Sequence, residues 1–68
     1  MTDTIRLNKA IKNSGYMKQY LAEQLGISRS YFLSKVKGDV DFKASEIVKL
    51  SELLNLSKTD RDLIFFKI

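Results

Sequence analysis

The chain has 68 residues, with 12 Lys and Arg against 8 Asp and Glu and with neither His nor Cys. A chain this short builds a single core, and without Cys or His it lacks disulfides and the usual zinc, iron–sulfur and haem ligands. No metal or cofactor is therefore expected, and an enzyme is disfavoured, because catalysis would have to be assembled from Ser, Lys, Tyr or carboxylates on a small surface.

The longest apolar run, "LIFF" at 63–66, falls far short of the roughly 18 residues a membrane span requires. The polar start "MTDTIRLNKAIKN" has no apolar stretch of the secretory type, so the expected location is a cytoplasm. Charge is unevenly placed. Residues 1–38 carry seven basic residues against two acids, and residues 39–68 carry five against six. A basic first half suits a polyanion, although a solvated basic face has the same composition.

Pro is absent, and Gly15, Gly26 and Gly38 separate segments whose apolar residues recur every three or four positions. That punctuation predicts an all-α domain spanning 1–68. The first helix is expected from about Thr4 to Asn13, with Ile5, Leu7 and Ile11 apolar and Thr2 or Asp3 as N-cap. The second runs from Met17 to Leu25 and buries Leu21, Ala22 and Leu25. The third starts after a Ser28 N-cap and reaches about Val36, with Phe32 and Val36 inward. The fourth covers about Ala44 to Leu54 on Ile47, Leu50 and Leu54, with Val48 and Leu53 as further candidates. The fifth opens at Lys58, where Ser57 and Asp60 have the spacing of a capping box with a shorter acid.

Two short helices meeting at a steep angle need a small residue at the contact and a tight turn between them. Ala22 and Gly26 meet those needs, with Ile27 plugging the junction, so residues 18–37 fit a helix-turn-helix. The pattern L-A-x-x-L-G-I-S-x-x-x-F over Leu21–Phe32, with Gly38 twelve positions after Gly26, resembles the lambda-repressor-like helix-turn-helix family of bacterial and phage regulators, which includes the Cro proteins. The continuation "LSKVKGDVDFKASEIVKLSELLNLS", its F-x-x-x-E-I element and the closing "LIFF" look like a small phage-encoded Cro-like branch. The resemblance covers residues 16–66 and implies a compact five-helix fold and a transcriptional regulator of a phage or prophage, acting in a bacterial host on double-stranded operator DNA.

If the third helix enters a major groove, base edges meet its first residues and outward face: Arg29, Ser30, Leu33 and Ser34, with Tyr31 at the margin. The resemblance places the base-reading positions on Arg29 and Ser30. Arg29 has the fork that grips guanine O6 and N7, whereas a Ser hydroxyl reads several bases. Phosphate contacts are expected from Lys18, Gln19, Lys35 and Lys37, with Tyr16 and Lys43 behind them. Many relatives carry Gln where this chain has Lys18, and Lys lacks the acceptor a Gln offers. Lysines on helices also serve simply as solvating residues, and the tyrosines as half-covered core.

Other features suit a protein partner. Leu33 is expected to face outward, Asp39 and Asp41 follow the third helix where phosphate would favour bases, and Leu63 to Phe66 cannot all face one core in an α-helix. The tail leaves Phe65 or Ile68 as the expected exposed residue, and Phe65, Phe66 and Ile68 form a candidate homodimer or partner patch. A second reading is therefore an antirepressor that docks Tyr31, Leu33, Asp39 and Asp41 onto a phage repressor's DNA-binding face.

Overall fold

The computed structural model describes residues 1–66, and among them every regular element is helical. Five α-helices follow one another: α1 (Thr4–Ser14), α2 (Lys18–Leu25), α3 (Arg29–Val36), α4 (Ala44–Leu53) and α5 (Lys58–Arg61). The last runs directly into a π-helical turn, Asp62–Phe66. None of these helices is long and apolar enough to cross a membrane.

The starts of α1, α3, α4 and α5 are set by side-chain caps. Asp3 caps α1 by accepting the Arg6 N–H, and Ser28 and Ser57 cap α3 and α5 by accepting the N–H groups of Tyr31 and Asp60, each at 3.1 Å. These bonds use amide hydrogens that the first helical turn leaves without a partner. At α4 the Glu46 carboxylate reaches back to accept the Lys43 N–H at 2.8 Å. Between α2 and α3 the chain reverses at Gly26, whose φ of 73° is strained for a residue with a β-carbon.

One core joins α1 to α4 and the π turn, and α5 contributes no buried residue to it. Leu7 and Ile11 from α1, Leu21 and Ala22 from α2, Phe32 and Val36 from α3, and Ile47 and Leu50 from α4 are buried together. Phe42, in the segment before α4, stacks edge-on between Phe32 at 6.2 Å and Phe65 at 5.5 Å. The Asp3 N–H donates to the Ile64 carbonyl at 2.6 Å, so the start of the chain is fastened to the π turn.

Two expectations about which side chains face inward are corrected. Val48, a candidate for the inner face of α4, is exposed, as is the apolar Ile5 of α1. Phe65 is buried rather than exposed, alongside Ile64. A π turn advances less per residue than an α turn, which lets these two neighbours face inward together while Leu63 is half-covered. Phe66 is then the exposed aromatic of the tail, at 51%, and Ile68 lies outside the described residues. The proposed patch therefore loses Phe65.

Candidate nucleic-acid interface

The helix pair anticipated at 18–37 is present as α2 and α3, packed on each other and joined through Gly26, Ile27 and Ser28. Ala22 is fully buried and Ile27 packs against the core, as the junction requires. The Ser28 cap fixes the first turn of α3, and from that turn Arg29, Ser30 and Tyr31 project at the surface. Arg29 makes no hydrogen bond or ion pair among the described residues. The Ser30 hydroxyl lies 3.4 Å from that of Ser28, and the Ser34 hydroxyl is already donated to the Ser30 carbonyl at 3.2 Å. Ser34 and Leu33 are half-buried, so Leu33 presents less apolar surface than an outward position would give it.

Ser28→Ala should cost about 1 kcal/mol of folding stability, because the Tyr31 amide loses its acceptor. Urea denaturation checks this, and an unchanged midpoint would mean that the cap does not hold the first turn of α3.

The start of α2 is built differently. Its N-cap is Met17, with no side-chain bond to the first turn, so that turn keeps amide hydrogens free to meet an anion. Lys18, half-buried, and Gln19, exposed, are the first two residues of this helix, and the Gln19 amide bonds Glu23 at 3.3 Å. Just before it, Tyr16 stacks on Tyr20 with ring centroids 5.0 Å apart, both rings partly exposed.

Lys35 is the principal departure. It is fully buried, and its Nζ lies 2.6 Å from Glu46 Oε1, donates to the Asp41 carbonyl at 3.1 Å and sits over the Tyr31 ring at 4.7 Å and the Phe42 ring at 5.7 Å. It is therefore not a phosphate contact but the bolt between α3, α4 and the segment joining them. Burial pushes the Glu46 carboxyl up, but the hydrogen bond from Lys35, that from the Lys43 N–H and the two lysine charges outweigh it and hold the pKa below its ordinary value of 4.5. The signal for this pair was in the sequence. Phe32, Lys35 and Val36 share the inward spacing of three and four, so Lys35 belongs to the buried face of α3.

With Lys35 neutralised, the positive charge around α3 comes from Arg29 and Lys37. Lys37 is exposed and lies 3.8 Å from the Asp39 carboxylate. Asp41 is exposed too, although its backbone carbonyl is engaged by Lys35. No protein-family model, curated protein or solved structure matches this chain.

Proposed function

We propose that this chain is a phage or prophage transcriptional regulator of the Cro/repressor type, reading operator DNA in a bacterial cytoplasm with the start of α3. The observation that supports this best is Arg29, held exposed on a capped first turn with no partner among the described residues. A cation near a helix N-terminus opposes the helix dipole, so the position does nothing for the fold and suits a ligand outside it. Arg29 and Ser30 take the base edges, while Lys18, Gln19 and Lys37 hold phosphates on either side. The uncapped start of α2 suits a phosphate oxygen. Affinity would rise on dimerising over half-sites about one helical turn apart, with exposed Phe66 as the candidate contact.

Fluorescence anisotropy with duplex DNA at ~50 to 150 mM salt tests this, because each neutralised phosphate steepens the fall of affinity with salt. Lys18→Gln should lower the slope of log K against log salt by about 1, equally for every sequence. Affinity that does not respond to salt, for any duplex, would end the proposal.

The exposed acids Asp39 and Asp41, following α3 and its partly exposed Tyr31, support a second reading as an antirepressor bound to a phage repressor's DNA-reading face. Their charge opposes phosphate and complements a basic protein surface. Arg29→Ala should damage the first role most and Leu33→Ser the second.

A further inference from the structure

Successive residues of an α-helix stand about 100° apart. On α3 the buried Phe32, Lys35 and Val36 therefore leave Ser30 and Ser34 in the middle of the opposite face, with Arg29 and Tyr31 on its two flanks. The Tyr31 flank is built unlike the other. Its ring is 41% exposed and rests against the Lys35 ammonium, 4.7 Å from the ring centroid. That ammonium is fixed, being fully buried and held by Glu46 at 2.6 Å and by the Asp41 carbonyl at 3.1 Å. A cation attracts the face of an aromatic ring, so Tyr31 is pinned on one side by an immobile charge while its remaining apolar surface is open to solvent. Pinning removes beforehand the side-chain freedom that a mobile contact gives up on binding.

Charge constrains what meets this ring. Asp41, joined to the same ammonium through its carbonyl, is exposed, and so is Asp39. Two acids beside the flank oppose a phosphate and leave the uncharged base edges, whose apolar group in a major groove is the thymine methyl. Resting on the operator-binding reading, we infer that Tyr31 is a second specificity-determining residue, its ring packing on a thymine C5 methyl at a base pair other than the one read by Arg29. Lys35 is then a positioning residue, tying that ring to Glu46 on α4.

The test uses the intact chain and the duplex consensus it selects from a randomised library, with each thymine on either strand replaced in turn by deoxyuridine, which removes the methyl alone. Fluorescence anisotropy is expected to show one thymine in each half-site whose replacement weakens binding about fourfold, the worth of one buried methyl, at a base pair whose preference Arg29→Ala leaves intact. Tyr31→Phe should keep this sensitivity, because the ring stays, and Tyr31→Ser should lose it. A residue that only covered Lys35 would change stability and leave the ratio of thymine to uracil affinities alone. A consensus without thymine, indifference of the parent chain to every methyl, sensitivity that survives Tyr31→Ser, or sensitivity lost in Tyr31→Phe would each overturn the inference, while an Arg29-dependent consensus kept the operator reading. The first two results need no variant, so the test stands even where Tyr31→Ser does not fold. Recovery of no consensus at all would overturn both.

Discussion

Glu46→Ala should leave the protein largely unfolded at room temperature. The substitution strands the Lys35 ammonium, whose side chain is 1% exposed, and leaving one member of a buried pair without its partner costs about 3–5 kcal/mol. A single core of this size supplies only about 3–5 kcal/mol in all. The same change removes the acceptor for the Lys43 N–H at the start of α4. Lys35→Met/Glu46→Ala should recover most of the loss and lie within about 2 kcal/mol of the parent, because an apolar side chain of similar length does not need the carboxylate. Urea denaturation of the parent, the two single variants and the double variant gives the coupling directly. Additive single effects would show that the contact at 2.6 Å carries no energy of its own.

The pair also sets a pH dependence whose sign is fixed. The folded Glu46 pKa lies below its ordinary value of 4.5, so the folded state binds this proton less readily than the unfolded chain. The pair's contribution is fully present above the unfolded value and is lost as the pH falls through the folded one. The stability difference between the parent and Lys35→Met/Glu46→Ala should thus be flat near neutrality and shrink only below about pH 4.5. A difference that grew on acidification would contradict the arrangement described.

Arg29→Ala carries the second large effect, and it falls on binding rather than folding. A bidentate Arg–guanine contact is worth about 1–3 kcal/mol of discrimination, roughly five- to one-hundred-and-fifty-fold, at one base pair. Non-specific affinity should fall much less, since only one of several positive charges is lost. Stability should hold or rise by a few tenths of a kcal/mol, because the variant removes a cation from the unfavourable end of α3. That separation is diagnostic. Loss of binding with the fold intact assigns Arg29 to the ligand, whereas joint loss of both would make it a structural residue.

The helices, their order and the caps at Asp3, Ser28 and Ser57 were legible because each rests on local chemistry, whereas the Glu46 carboxylate that caps α4 was not anticipated, and of the box expected at Ser57 and Asp60 only the Ser57 half forms. Gly26 ends α2, Ser28 starts α3 and Ser57 starts α5 through side-chain or backbone features within a few residues. Phe65 was not legible, because its burial depends on a π turn that no apolar spacing of α type announces. Lys35 was misread for a different reason. Its charge suggested a surface role while its register with Phe32 and Val36 placed it inside, and the partner that makes this tolerable comes eleven residues later in sequence, on α4. At the candidate interface, the exposure of Arg29, Ser30 and Lys37 followed from the register of α3, but the half-burial of Leu33 depends on packing between elements.

The central claim is that the start of α3 reads a DNA sequence. Selection from a randomised duplex library at moderate salt, run with the folded protein and in parallel with Arg29→Ala, tests it most directly. The account predicts a symmetric consensus with the parent chain and loss of preference at one base pair in each half-site with the variant. Enrichment of no sequence by protein shown to be folded would contradict it and move the assignment of this surface to a protein partner at Tyr31, Asp39 and Asp41.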